Sequence, residues 1–269
     1  MKLAYQTNTW GGVVGHPAGV TSVKDLYYLT PGSNEEALQD IAQAGYAGFE
    51  LFDGNLMPYK GREQEFRALL ERTHLHLVGV YSGANFIYGD ILDDELSKIR
   101  GVVEFAAALG AEQLVVGGGA VRASGTREDD YRRLGAGLEH VRELAERAGL
   151  TPSYHPHLGT IAESPEQIAK IFQHTSINFC PDTAHLQAGG GDPAQLIRTY
   201  ADRIKYVHLK DYQDGQFLPL GAGTQDLDGI LATLKEIRYD GWILVELDAH
   251  PVPIEGARIS KAFLDARVG

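Results

Sequence analysis

With 269 residues, the chain can bury roughly three-quarters of the surface its extended form exposes, so its core needs no disulfide or metal staple. A hydrophobic fraction of 43% and a charged fraction of 22% exclude disorder and collagen-like structure, and no run approaches the ~20 apolar residues of a membrane span. The net charge of −12 (24 Lys plus Arg against 36 Asp plus Glu) repels nucleic acid and anionic membrane at long range.

The start, Met1 to Asn8, carries no apolar signal core, and the single cysteine, Cys180, has no intrachain partner. Both point to a reducing cytoplasm.

Short apolar runs alternate with longer stretches of helical period along the whole chain. The runs are Leu3–Asn8, Ala47–Phe52, Leu75–Tyr81, Gln113–Val116, Thr151–His155, Ile177–Cys180, Ile204–Leu209 and Trp242–Glu246. They are near-continuous rather than alternating, as buried parallel strands are. Between them, Tyr131, Leu134, Leu138, Val141 and Leu144 follow 3–4 spacing, as Leu96, Ile99, Val103, Phe105 and Leu109 roughly do.

Ser33 to Glu36 reads as a capping box, and Ser164-Pro165 and Asp192-Pro193 place a cap before a first-turn proline. Gly45, Gly110 and Gly149 follow helix ends, where a left-handed residue is needed. Eight strand–helix units without a linker predict one α/β domain over residues 1–269, a (β/α)8 TIM barrel, with a doubly wound sheet as the alternative.

The stretch from Trp10 to Gly32 is long for a connection and holds five glycines, two prolines and His16. It is expected to be a lid or substrate wall at the barrel mouth.

A barrel places its site at the C-terminal strand ends. There the sequence reads Phe49-Glu50-Leu51, Tyr154-His155-Pro156-His157, Pro181-Asp182-Thr183-Ala184-His185, Val207-His208-Leu209-Lys210-Asp211 and Val245-Glu246-Leu247-Asp248. His155, Asp182, His208 and Glu246 come from four successive strands and can converge. Two imidazoles and two carboxylates suit one divalent ion. Manganese is the expected one, with cobalt, iron, zinc or magnesium as alternatives. Such an ion polarises a carbonyl or a ligated hydroxyl.

The motifs at Asp182–His185, Val207–Asp211 and Val245–Glu246 resemble those of the xylose isomerase-like TIM-barrel superfamily of sugar phosphate isomerases and epimerases, over nearly the whole chain. Within it, Tyr154 to Thr160 and Gly189 to Pro193 are most similar to inosose dehydratases. The resemblance implies a metal held by residues of the fifth to eighth strands, here His155, Asp182, His208 and Glu246. It also marks a departure, since the first of these is usually Glu.

Epimerases of the superfamily use two metal-bound glutamates on opposite faces of the substrate carbon. A metal-bound neutral imidazole has no free lone pair for that role. The expected reaction is therefore one-sided proton removal α to a carbonyl and then elimination, on a keto-polyol or keto-sugar.

Glu246 or Glu50 is the candidate base, and Lys210 or His157 the donor to the departing hydroxyl. Lys210 otherwise pairs with Asp211 or another rim carboxylate. His157 otherwise orients a ligand, and His185 is a second ligand or an outer-shell group. Trp10, His16, Tyr81, His185 and Asp211 are candidate substrate contacts, with Asn85, Phe86 and Tyr212 as further walls. Gly117-Gly118-Gly119 is either a close-approach point for substrate or a plain turn.

The alternatives are a ketose 3-epimerase, an aldose–ketose isomerase, or a 3-keto-C-glycoside-cleaving lyase with a smaller partner subunit. The chain is otherwise expected to stand alone or as a homo-oligomer. An apurinic-site endonuclease would need an Asp-x-His after the seventh strand, where the chain reads Leu209-Lys210-Asp211-Tyr212-Gln213. The glycines at 189–191 precede Asp192, expected to cap a helix, which puts negative charge where a dinucleotide phosphate would sit.

Overall fold

In the computed structural model, residues 1–11 and 27–268 are described. His16 and most of the long first connection lie outside them, as does the lid expectation attached to that segment.

Eight parallel strands form one sheet. They are β1 (Lys2–Gln6), β2 (Gly48–Phe52), β3 (His76–Ala84), β4 (Gln113–Gly118), β5 (Thr151–Tyr154), β6 (Asn178–Phe179), β7 (Val207–Leu209) and β10 (Trp242–Val245). Their order is β6-β5-β4-β3-β2-β1-β10-β7. Parallel pairings of Phe179 with Ile204 and of Asp182 with His208 join the two edge strands and close the ring. Closure removes the unpaired edges an open sheet would present.

The helices alternate with the strands: α1 (Asn34–Gln43), α2 (Asp53–Leu56), α3 (Glu63–Thr73), α4 (Leu92–Leu109), α5 (Glu128–Arg147), α6 (Pro165–Phe172), α7 (Thr183–Ala188), α8 (Pro193–Thr199), α9 (Leu227–Glu236) and α10 (Pro253–Val268). The chain is a single TIM barrel of the α/β class.

The local signals act as expected, except that the capping box expected at Ser33 to Glu36 forms only its Ser33 half. Ser33 accepts from the Glu36 amide, and Ser164 and Gln167 form a reciprocal capping box ahead of α6. Asp192 accepts from the Gln195 amide at the start of α8. Gly45, Gly110 and Gly149 adopt φ of 86°, 89° and 85°, which L side chains resist.

Most strand bounds shift by one to three residues from the expected runs, the seventh beginning only at Val207 and the fourth running on to Gly118. The first strand stops at Gln6, because the Gln6 side chain accepts from the Thr7 amide and starts a tight 3-10 turn over Thr7–Thr9. The third strand runs on to Ala84. After β7 the chain makes an antiparallel hairpin, β8 (Asp211–Gln213) and β9 (Gln216–Leu218), with Asp214 and Gly215 at positive φ in its turn.

Alternate residues of a strand face opposite sides of the sheet. One side packs under the helices in the large apolar core. The other fills the barrel with a smaller cluster that includes Ala4, Val78, Val115, Cys180, Tyr206, Trp242 and Leu244. Two residues further along, the same inward faces carry Gln6, Asp182, His208 and Glu246. The polar site is thus the continuation of the barrel interior toward the strand ends.

Candidate metal centre and its surroundings

His155, Asp182, His208 and Glu246 converge, each offering a ligand atom within 4.8 Å of the others. Each is delivered by backbone. The His155 amide donates to the Val116 carbonyl at 2.9 Å, and that of Glu246 to the Leu209 carbonyl at 3.1 Å. Asp182 caps α7. Its Oδ1 accepts from the amides of Ala184 and His185, both at 2.9 Å, which turns Oδ2 toward the cluster. His155 Nε2 stands 3.5 Å from Asp182 Oδ2 and 4.0 Å from Glu246 Oε2, and His208 Nδ1 is 2.7 Å from Glu246 Oε2.

Both ring nitrogens of His155 and Oδ2 of Asp182 are buried without a hydrogen-bond partner among the described residues. Leaving such atoms unpaired costs about 1–3 kcal/mol each. A divalent cation on this nitrogen and oxygen donor set would satisfy His155 Nε2, which faces Asp182 and Glu246, and Asp182 Oδ2, so the residues present fit a metal.

Burial works against charging His208, but Cys180, Glu50 and Glu246 around it outweigh that and hold it well above the ordinary imidazole range. Glu246 is driven the other way. Burial raises it, while Lys210 and His208 bring it well below the usual carboxylate value.

Lys210 is wholly buried. Its Nζ donates to Asp248 Oδ1 at 2.6 Å and to Glu246 Oε1 at 3.0 Å, and lies 4.2 Å from the centre of the Phe217 ring on β9. Burial disfavours its charge, yet Asp248, Glu246 and Asp182 keep it a cation, above the usual lysine value. Lys210 therefore pairs with Asp248 and Glu246, and not with Asp211.

Asp211 receives the amides of Tyr212, Gly221, Gly223 and Gln225 at 2.8–3.4 Å, organising the loop after the hairpin. Its expected place against substrate is corrected accordingly: the carboxylate is already saturated by backbone donors.

His157 and His185 stack beside the cluster with ring centres 3.7 Å apart. His157 Nδ1 lies 2.7 Å from the Leu158 carbonyl. A carbonyl only accepts, so Nδ1 carries the proton and Nε2 keeps its lone pair. Burial and the neighbouring His155 push His157 down to about 4. Burial and His157 likewise hold His185 well below the imidazole range. His185 Nε2 faces Lys210 Nζ at 3.5 Å, while its Nδ1 is buried and unpartnered among the described residues.

The remaining expected contacts divide. Tyr81 stands edge-on to His155 at 5.3 Å and forms a wall of the centre. Its phenol occupies the space above Gly117, where a Cβ would fall 2.0 Å from the hydroxyl. The glycine run therefore accommodates Tyr81. Trp10 is not brought to the centre. It packs against Tyr5 and donates its indole N–H to Asp40 at 2.8 Å. Phe86 is a core residue, and Asn85 is held by Glu95. Glu50 is fully buried, with one oxygen on Gln6 at 2.7 Å and the other facing His208 Nε2 at 3.4 Å. It is not exposed to a substrate as a base would be.

Sequence reasoning passed over Asp248, Gln6 and Asn8. Asp248 had a signal, since it follows Glu246 by two residues and shares its face. Asn8, whose Nδ2 donates to Glu246 Oε1 at 3.3 Å, depends on the turn after β1 and had none.

Residues 38–267 match the family described as Xylose isomerase-like TIM barrel, and the chain belongs to that family. It is 28% identical over 274 residues to an inosose dehydratase of Geobacillus kaustophilus, covering 88% of each chain. Among solved structures it superposes on the IOLI protein, determined with a bound zinc atom, with a TM-score of 0.80 at 17% identity over 99% of this chain and 97% of that one. It also superposes on the 3-keto-D-glucoside 4-epimerase YcjR of E. coli, with a TM-score of 0.74 at 20% identity over 99% of each chain.

Proposed function

We propose that this protein is a divalent-metal-dependent lyase that removes the proton α to the carbonyl of a keto-polyol or keto-sugar and expels a β-hydroxyl, as inosose dehydratases do. The observation that carries the reading is the convergence of His155, Asp182, His208 and Glu246 with unpaired His155 and Asp182 atoms at the strand ends. The resemblance to inosose dehydratases over most of the chain supports the substrate class. Manganese is the ion we expect to serve, with cobalt, iron, zinc and magnesium as alternatives.

When bound, the ion supplies Lewis-acid polarisation of the carbonyl and the hydroxyl next to it. The side chains divide the remaining work. His157, neutral and with Nε2 free, takes the α-proton, and as imidazolium returns it to the departing hydroxyl, which leaves as water. The C–H electron pair becomes the new double bond as the C–O bond breaks. Lys210 stays charged throughout. It holds Glu246 in place and offsets negative charge developing nearby, so it is a poor proton donor. His185 Nδ1 offers a hydrogen bond to a substrate oxygen, and Tyr81 and Phe217 border the site.

A single mobile proton on one face suits elimination better than epimerisation, which needs a second acid on the opposite face. Incubating the Mg2+-loaded protein with 2-keto-myo-inositol in D2O and following it by NMR tests the reading. The expected result is loss of one water to an enol that tautomerises to a 1,2-diketone. Deuterium uptake without elimination would transfer the assignment to an epimerase, an isomerase or a lyase with another leaving group, such as a C-linked aglycone. Absence of both proton exchange and elimination with keto-polyols and keto-sugars would overturn it.

A further inference from the structure

The side of His208 that faces away from the cluster carries a second, wholly buried polar chain. The Thr7 amide donates to Gln6 Oε1 at 2.8 Å, which fixes how the Gln6 side chain is turned. Gln6 Nε2 must then donate, and it does so to Glu50 Oε1 at 2.7 Å. Glu50 Oε2 remains, 3.4 Å from His208 Nε2. Glu50 and His208 have no exposed surface, and Gln6 has 1%. Space is reserved for this carboxylate, since a Cβ on Gly79 would lie 2.8 Å from Glu50 Oε2.

Packing alone sets only the plane of the His208 ring. Tyr206 stands edge-on to it at 5.4 Å and His155 at 4.8 Å. Rotating the ring by half a turn would exchange each nitrogen with a carbon and cost both polar contacts. Glu246 on Nδ1 and Glu50 on Nε2 together select one orientation. Both nitrogens face carboxylates, Nδ1 facing Glu246 at 2.7 Å and Nε2 facing Glu50 at 3.4 Å; with a cation between Nδ1 and Glu246, the carboxylate left on Nε2 would fix the proton there and leave the Nδ1 lone pair for the ion.

We infer that Glu50, itself aligned by Gln6, is a positioning residue that holds His208 as the Nε2–H tautomer so that Nδ1 is the metal-binding atom. This rests on the metal reading of the four-residue cluster. It removes Glu50 from the candidate bases and gives the first strand, through Gln6, a part in the centre.

Metal affinity is compared in wild type, E50Q and the exchanged pair Q6E/E50Q. In E50Q the one amide oxygen at position 50 cannot accept from both Gln6 and His208. In the exchanged pair, the carboxylate now at position 6 accepts from Thr7 and from the position-50 amide, whose oxygen is again free for His208. Zn2+ affinity is measured by competition with a chromophoric chelator. The expected result is a ten- to hundredfold loss in E50Q and recovery to within about threefold of wild type in the pair.

The tautomer is read from 15N-histidine NMR of wild type, with His208 assigned by its loss in H208F. The loaded protein should show Nδ1 bound and Nε2 protonated, with that proton shifted strongly downfield by Glu50. Unchanged affinity in E50Q, no recovery in a folded exchanged pair, or Nε2 as the bound atom would each overturn the inference. If the variants do not fold, the wild-type tautomer decides alone. If wild type binds no ion, the metal reading fails. An imidazolium carries both protons, so the metal-free spectrum then tests the Glu50 contact itself: a strongly downfield Nε2 proton that returns to the ordinary range in E50Q supports the inference, and an Nε2 proton unshifted in wild type overturns it.

Discussion

Lys210 shows most directly how residues share charge in this barrel. One buried ammonium lies between Asp248 and Glu246, at 2.6 and 3.0 Å. Replacing it with methionine leaves Asp248 without its cation and Glu246 with His208 alone. Removing one partner of a buried pair costs about 3–5 kcal/mol. K210M should lose that much stability in urea denaturation, and K210M/D248N should regain part of it. A loss below about 1 kcal/mol would show that the cation is not needed there.

Proton balance at His208 gives a second residue-scale expectation. Its protonated form is favoured in the metal-free protein, and a cation must displace a proton to bind. Metal affinity should therefore rise with pH through neutrality, by up to about tenfold per unit for one displaced proton. Isothermal titration in buffers of different ionisation enthalpy would count that proton. A count of zero at neutral pH contradicts the assignment.

At the scale of elements, the contacts that hold helix to strand are polar as well as apolar. Glu139 on α5 accepts from the Thr175 hydroxyl at 2.9 Å and from the Ser176 amide at 2.8 Å, fastening α5 to the approach of β6. Partial burial raises its pKa, but Arg142, Ser176 and Thr175 prevail and lower it to about 2. The folded value lies below the unfolded one, so this stability is complete above about pH 4.5. It is lost as pH falls toward 2. Because the group is largely solvated, we expect roughly 1 kcal/mol. E139Q should lower the stability measured at pH 7 by that amount and flatten its decline between about pH 4.5 and 2. An E139Q curve parallel to wild type would remove Glu139 from the acid response.

Much of the element level was legible in the sequence. Ser164-Pro165 and Gly110 mark helix ends because they act through bonds within a few residues. The hairpin of β8 and β9 carried a local signal that was passed over, the Asp214-Gly215 turn. The loop after it was not legible, because Asp211 gathers the amides of Gly221, Gly223 and Gln225, partners 10 to 14 residues away.

For the whole molecule, the centre links four strands that are distant in sequence, so an ion bound there acts as a cross-link of the closed barrel. A ligand that binds only the folded state, at about a hundred times its Kd, adds about 2.7 kcal/mol. Manganese at that excess should raise Tm by roughly 5–10 °C for a domain of this size. D182N should abolish the rise, and chelator should reverse it in wild type. An equal rise in D182N would locate the ion elsewhere.

The amino-acid sequence by itself determined the barrel, because eight apolar runs alternating with helical periods have few other ways to bury their surface. It also determined which four residues converge, since each lies at a strand end and closure brings those ends to one rim. The tertiary structure alone decided what the neighbours do. Lys210 faces Asp248 rather than the adjacent Asp211, Trp10 serves the core, and Glu50 turns to His208. Those choices depend on which face of a strand points inward and on bonds between residues far apart in the chain, which no local pattern encodes.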